Sequence, residues 1–422
     1  MEIFKFGGAS VKDAAGVRQL AAIVGQQKPL VIVISAMGKM TNLLEKICEA
    51  RFRDDAPTAL RRLEELCDFH AAIIRDLFPI DEQRRPVVER VEQLLDLVRQ
   101  IIAEERTDNS ADDYDRAYDR LIPVGELLST RIVSDYLAAN GVSNRFVDVR
   151  QCLISDDCHR NANVDLETSR ERCARVFHFR DADRYITQGF IAGTLDGQTT
   201  TLGREGSDYT AALLANLLDA SRVTIWKDVP GVMNADPKEY PAAVVIPQMH
   251  YKEAIELTHF GAKVIHPKTI KPLQNKNIPL RVRSFLDPDA PGTVIRDLDG
   301  WIALPPVYIN KENQLLLTLA PRDFSFIAEE KLSRVFSILA RYRLKLNLMQ
   351  NSAISFTFCV DNHPAILPRF IAELQQEFGV RYNDNVRLVT IRHYTDAMIR
   401  EIIGDSVVLV EQRSRATAQF VI

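Results

Sequence analysis

An alternation constrains this chain more than any other feature. Short apolar runs, too brief for helices, are separated by helical patterns, and the series begins at once. Residues 3–6 form a short apolar run ended by Gly7 and Gly8, a helical pattern follows over about 11–24, and residues 30–35 read LVIVIS. That last run is β-branched and apolar at consecutive positions, the pattern of a strand covered on both faces. After a long interruption the series resumes, with strand candidates at 145–149, 185–191, 223–226 and 280–282 and helices between several of them. Strand, helix, strand in this order predicts a layered α/β domain with a mostly parallel central sheet. The interruption, about 43–120, is dense in charge and carries Leu, Ile and Val at three- and four-residue spacing, with one short break near Pro79. This is the pattern of a helical insertion.

At 422 residues the chain exceeds a single domain, and the turn-rich segment DPDAPG at 287–292 suggests a boundary. Beyond it the order is strand 315–319, helix 328–342, strand 344–349, strand 354–360, helix 365–378 and strand 386–392. This βαββαβ order is ferredoxin-like, which specifies no chemistry by itself. A shorter round follows, with a helix at 396–403 and strands at 407–411 and 416–421, and it stops before a second helix. The expected domains are 1–292 and 293–422. The second would contain one full module of about 312–392 and a truncated one of about 386–422 plus 300–311.

A formal charge of -4 supplies no basic field to draw nucleic acid or an anionic membrane, so small anionic substrates fit better than polyanions. The six cysteines form no CxxC pair and no His/Cys cluster with metal-ligand spacing, and they read as reduced core thiols. The opening residues lack the layout of a signal peptide, and the apolar runs fall well short of the ~20 residues of a membrane span. A cytoplasmic location is the expectation.

Four segments carry groups capable of chemistry. Lys5-Phe6-Gly7-Gly8-Ala9-Ser10 sets a cation at a strand end and two glycines at a helix mouth, where free N–H groups can meet a phosphate. The same segment also reads as a tight turn with a solvated lysine. No GxxxxGK[ST] segment exists, so any phosphate site here is not a P-loop. The run Thr199 to Thr210, TTTLGREGSDYT, concentrates hydroxyls and glycines, a planar cationic fork at Arg204, and Asp208, which could orient Lys5 or a magnesium ion. It could equally cap the helix that follows. Lys227-Asp228-Val229-Pro230-Gly231, continuing through Asn234 to Lys238, leaves a strand at the end where ligands of open α/β sheets bind. Phe260 to Pro267, FGAKVIHP, sets Lys263 beside a glycine ahead of a helix.

In this order the segments resemble those of the aspartate kinases of the amino-acid kinase family, along nearly the whole chain. KFGGAS is similar to that family's KFGGTS, SAMGKMTNLL to its SAxxxxTNxL, and VGELLST to its GE-containing substrate motif. TTTLGREGSDYTAALLA, KDVPGV, ADP and FGAKVIHP follow. The resemblance implies an αβα amino-acid-kinase domain, a C-terminal ACT-type region, and transfer of the γ-phosphoryl group of MgATP to the β-carboxylate of L-aspartate. It implies Lys5 as the phosphoryl-stabilising cation and Asp208 as the organiser of the active-site lysines. Thr41, Glu126, Arg204 and Ser207 would hold aspartate. Gly7, Gly8, Ser10 and Ser35 would line the phosphate path, and Asp228, Met233, Asp236, Lys238 and Lys263 would hold ATP, with Mg2+ carried mainly on its phosphates. A homodimer or higher homo-oligomer through the ACT-like region is implied as well.

The chain departs from the family pattern at Ala9 (threonine there), Glu205 (glycine), Lys227 (threonine), Met233 (often tyrosine) and Lys238 (often arginine). Asn347 and Ala353 stand where lysine-inhibited relatives carry Asp and Glu, which implies weak or absent feedback by lysine. Two other readings stand beside this one. A sibling kinase would act on glutamate, N-acetylglutamate, carbamate or UMP, and a non-catalytic sensing subunit would assemble with an active kinase.

Overall fold

The computed structural model describes residues 1–104, 110–262, 265–300, 302–323 and 325–422. Two compact units are present. Met1–Val232, Val245–Ile255 and Val264–Trp301 make the first, and Met233–Val244, Glu256–Lys263 and Ile302–Ile422 make the second.

The first unit opens with β1 (Glu2–Phe6), α1 (Ala14–Gly25) and β2 (Leu30–Ile34). Every residue of β2 is buried, as its uninterrupted apolar run requires. Helix α1 starts later than its periodicity suggests because Asp13 caps it, its side chain accepting from the Gly16 N–H at 2.8 Å. The expected insertion of about 43–120 is helical, with α2 (Met40–Phe52), α3 (Ala56–Leu77), α4 (Asp81–Ala103) and α5 (Ala111–Leu121), and α6 (Val124–Ala139) follows it. Their apolar stripes join the helix-facing side of the sheet in one core, in which Leu44, Leu66, Leu95, Val98 and Leu128 are buried together with the α1 residues Val17 and Leu20. There follow β3 (Arg145–Val147), α7 (Leu166–Val176), β4 (Arg184–Gln188), β5 (Ile191–Gly193), β6 (Thr199–Thr201), α8 (Gly206–Leu217), β7 (Arg222–Lys227), β8 (Gln248–Met249), α9 (Tyr251–Phe260), α10 (Pro267–Gln274), β9 (Leu280–Ser284) and β10 (Thr293–Ile295).

The central sheet runs β3-β4-β2-β1-β7-β9-β10-β8. Its adjacent pairs are parallel except β9 with β10. The order reverses at β1, which has β2 on one side and β7 on the other, and such a switch point opens a crevice beyond the carboxyl ends of the strands. Glycine is required beside it. A Cβ on Gly8 would lie 2.6 Å from the Ala36 carbonyl oxygen and 2.8 Å from that of Gly38, so only glycine lets the turn after β1 pass against the turn after β2.

Three sequence readings differ from what forms. The apolar run at 185–191 is cut at Gly189 and Phe190, where Phe190 takes φ 73°, and the chain leaves the main sheet to form a β5–β6 hairpin. The threonine triplet 199–201, read as loop, is strand β6. DPDAPG is the turn between β9 and β10, whose antiparallel pairing keeps residues 293–295 in the central sheet, and the two units divide elsewhere.

The second unit contains β11 (Val307–Pro321), α11 (Glu329–Arg341), β12 (Leu346–Asn351), β13 (Phe356–Asp361), α12 (Leu367–Leu374), β14 (Phe378–Arg392), α13 (Asp396–Ile403), β15 (Val410–Arg413) and β16 (Thr417–Val421). They build an antiparallel sheet in the order β12-β13-β11-β14-β16-β15. Strands β11 and β14 are much longer than their apolar runs because each serves two halves of the sheet. Residues 315–319 of β11 pair with β13, whereas 307–311 pair with 388–392 of β14, which in turn pair with β16. Irregular register between Lys311 and Gln314 separates the halves. Helices α11 and α12 cover one core (Leu317, Val335, Phe358, Phe370), and α13 covers another (Val389, Ile391, Ile399, Phe420). The cysteines are free, and four are buried as expected; Cys67 is half-buried and Cys158 is exposed. Among the described residues no helix is long and apolar enough to cross a membrane.

Candidate active site

Three neighbouring parallel strands of the first unit end at one cleft of about 570 Å³, whose walls include Lys5 near the end of β1, Ser35 just past β2 and Lys227 at the end of β7. Asp208, in the first turn of α8, pairs with both lysines. Its carboxylate lies 2.6 Å from the Lys5 ammonium and 3.5 Å from that of Lys227, with Lys5 8% and Asp208 2% exposed. Burial alone would raise the Asp208 carboxyl, but the two ammonium groups outweigh it and hold it below the usual carboxylate range. The position is also favourable to an anion, at the positive end of a helix. Lys5 and Asp208 therefore share one pocket beside Arg204, as the sequence reading requires.

Opposite them the first turn of α6 supplies Glu126, 3% exposed. Desolvation pushes its carboxyl up to about 8, against the Ala36 N–H, which donates to it at 3.2 Å, and the field of Lys5. Its other oxygen, Oε2, is buried and has no hydrogen-bond partner among the described residues. Thr41, Arg204 and Ser207 line the same cleft. Ser207 comes close because residue 189 is glycine: a Cβ there would sit 2.5 Å from the Ser207 Cβ. The loop before α8 is pinned on both flanks, Leu202 N–H to the Phe190 carbonyl at 2.8 Å and Thr201 Oγ1 to the buried Asp119 at 2.6 Å.

Some predicted residues lie elsewhere. Gly7, Gly8 and Ser10 form the turn behind Lys5 rather than the wall of the cleft, with the Ser10 N–H on the Gly7 carbonyl at 2.9 Å. Asp228 is exposed just past β7. Met233, Asp236 and Lys238 belong to the second unit, where Asp236 accepts from the Lys238 N–H at 3.0 Å. Lys263 falls outside the described residues.

The site also holds groups that sequence reasoning did not assign to it. The sequence places Lys227 at a ligand-binding strand end and marks it as a departure from the family pattern, but assigns it no role, and only the fold brings it to Asp208. Glu45, Tyr118, Arg160, Phe190 and Glu205 line the cleft as well. Arg160 stacks 4.6 Å from the Tyr118 ring and pairs with Asp115 at 3.0 Å, and the Tyr118 hydroxyl donates to Glu45 at 2.8 Å. Glu45, Tyr118 and Arg160 come from the insertion and a distant loop, and no local signal announces them.

A parallel sheet whose strand ends gather two lysines on one carboxylate, without a P-loop, defines a site suited to handling phosphoryl charge. The chain belongs to the amino acid kinase family, which matches residues 1–284. Within that family it is 35% identical to the lysine-sensitive aspartokinase 3 of Escherichia coli (strain K12) over 367 residues, 85% of this chain and 78% of that protein. It is 33% identical to the chloroplastic bifunctional aspartokinase/homoserine dehydrogenase 2 of Arabidopsis thaliana over 300 residues, 69% of this chain and 32% of that longer protein. Its fold matches the crystal structure of E. coli aspartokinase III in complex with aspartate and ADP with a TM-score of 0.83 at 29% identity, covering 100% of this chain and 96% of the other. The complex of that enzyme with lysine and aspartate gives 0.82 at the same identity and coverage.

Proposed function

We propose that this chain is an aspartate kinase, transferring the γ-phosphoryl group of MgATP to the β-carboxylate of L-aspartate to give 4-phospho-L-aspartate and ADP. The observation that carries this is the Lys5–Asp208–Lys227 cluster in a cleft that also holds Arg204 and the buried Glu126. A β-carboxylate oxygen attacks the γ-phosphorus in line, a carboxyl O–P bond forms, and the bond from that phosphorus to the β,γ-bridging oxygen breaks, leaving its electron pair on ADP. The carboxylate is already ionised at neutral pH, so no general base is needed. Catalysis then comes from alignment and charge neutralisation. Lys5 and Lys227 meet the charge that spreads over the transferred group, and Asp208 fixes both ammonium groups in place.

Arg204, which makes no ion pair among the described residues, grips the α-carboxylate, Glu126 takes the α-ammonium, and Thr41 and Ser207 donate to the remaining oxygens. Ser35 and the Gly7, Gly8 and Ser10 turn shape the phosphate path, while Asp228, Met233, Asp236, Lys238 and Lys263 hold the nucleotide. Magnesium enters as part of the MgATP substrate. Asp208 is already engaged by two lysines, which fits an ion carried by the phosphates. The ACT-like region is assigned to self-association, with β12 and β15 as the sheet edges open to pairing. The test is ADP release and hydroxylamine trapping of the acyl phosphate with aspartate, glutamate, N-acetylglutamate, carbamate and UMP as acceptors. Activity with aspartate alone is expected. A preference for another acceptor supports the sibling kinase, and silence with all of them supports the sensing subunit.

A further inference from the structure

Glu205 sits where a glycine would be easiest. It is the residue before α8, with φ 53° and ψ 29°, a left-handed conformation that side chains disfavour. In the related family motif this position is glycine, so the strain is specific to this chain's carboxylate. The usual reason for an acid at this point is absent, because the Glu205 side chain makes no capping hydrogen bond. Strain of this kind gathers at the cleft. Of the eleven non-glycine residues with positive φ among the described residues, Arg160, Phe190 and Glu205 all line it, where an even scatter would put fewer than one.

A second observation is independent of the backbone. Glu205 Oε2 is buried and has no hydrogen-bond partner among the described residues, and the same holds for Oε2 of Glu126, a side chain only 3% exposed in the same cleft. Two buried carboxylate oxygens left open in one pocket call for a donor from outside the chain. An ammonium group carries three N–H donors and a compensating charge, so it can serve both acids at once.

We propose that Glu205 is a second binding carboxylate for the α-ammonium group of the acceptor, acting with Glu126 while Arg204 holds the carboxylate. This rests on the aspartate kinase reading and adds to it: the chain selects a free amino acid over a dicarboxylate that lacks the amino group.

The experiment uses the full chain with Glu205→Gln and Glu205→Gly, measuring steady-state kinetics with MgATP and aspartate, and inhibition by succinate, which has both carboxylates and no ammonium. KM for aspartate is expected to rise about tenfold to a hundredfold, the effect of losing one charge-assisted hydrogen bond. The kcat, the KM for ATP, the magnesium dependence and the succinate Ki are expected to stay unchanged. Glu205→Gly should melt no lower than the wild type, since glycine adopts this φ freely, which separates lost affinity from lost folding. An unchanged KM for aspartate overturns the proposal, as does a succinate Ki that weakens in parallel, or an altered magnesium requirement, which would mark Glu205 as a metal-facing group. A wild-type chain that fails to phosphorylate aspartate removes the underlying reading as well. An active wild type with an indifferent Glu205→Gln removes this proposal alone.

Discussion

Removing the Lys5 ammonium leaves Asp208 facing Lys227 alone, at 3.5 Å instead of 2.6 Å. If Lys5 meets transition-state charge, Lys5→Met should lower kcat by about 10²- to 10³-fold and change the KM for aspartate little. An equal loss in binding, read by titration calorimetry, would move Lys5 from the chemistry to the ground state. Glu126 makes a different prediction, because its carboxyl is pushed up to about 8 by burial. Below that pH the free protein holds a neutral Glu126, yet an ammonium ligand needs it ionised, so binding must expel a proton. KM for aspartate should therefore climb as pH falls from 8 toward 6, approaching about tenfold per unit. Calorimetry in buffers of differing ionisation enthalpy should show proton release. The sign for stability is the reverse of the usual carboxylate case. The folded state binds the extra proton, so the Glu126 contribution is full below about 4.5 and is lost as pH rises through about 8. Glu126→Gln should accordingly raise the melting temperature more at pH 8.5 than at pH 5.5.

At the scale of elements, the strand at 30–34 was legible because a strand covered on both faces is apolar at consecutive positions, and the one at 223–226 because Val, Thr, Ile and Trp in succession are β-branched or aromatic. Helix α13 forms at the expected 396–403, and the structure adds its cap, Thr395, whose hydroxyl accepts from the Met398 N–H. What stayed hidden depends on groups far apart in sequence. Nothing local says that β4 stops at Gln188 so that Gly189 can admit Ser207, or that 307–311 and 315–319 are one strand serving two halves of a sheet. The site was legible as segments, since glycines and charges at strand ends mark them, whereas Glu45 and Arg160 reach the cleft only through the packing of the insertion. Asn347 shows what the folded element adds to a sequence reading. It sits in β12 with its amide fully engaged: Oδ1 accepts from Lys311 at 2.7 Å, and Nδ2 donates to Gln314 at 2.7 Å and Asp361 at 2.8 Å. No carboxylate is present at 347 for an effector's ammonium, and the amide is already occupied by the chain's own Lys311. Lysine is therefore expected to inhibit weakly or not at all, and half-maximal inhibition at sub-millimolar lysine in the kinase assay would refute this.

For the whole molecule, the division into units matters because it does not follow the order of the chain. Segments 233–244 and 256–262 fold with the C-terminal sheet. Within that unit the Tyr308 N–H donates to the Asn234 carbonyl at 2.8 Å, and Asn310 bonds to Glu239 and Tyr240. Arg392, 8% exposed, pairs with Glu256 at 3.3 Å and lies 5.6 Å from the Phe260 ring. A Cβ on Gly261 would run into the Lys311 side chain, so the glycine lets that lysine pass over the end of α9. The ACT-like sheet thus holds the segment in which Asp236 and Lys238 are proposed to serve the nucleotide, whereas the proposed aspartate groups belong to the first unit. Arg392→Ala removes a buried guanidinium from the part-exposed Glu256 and from Thr417 Oγ1, at a cost of about 1–2 kcal/mol to the second unit. It should raise the KM for ATP several-fold and leave the KM for aspartate near its original value. Equal losses for both substrates would mean that these segments serve the nucleotide no more than the rest of the chain does.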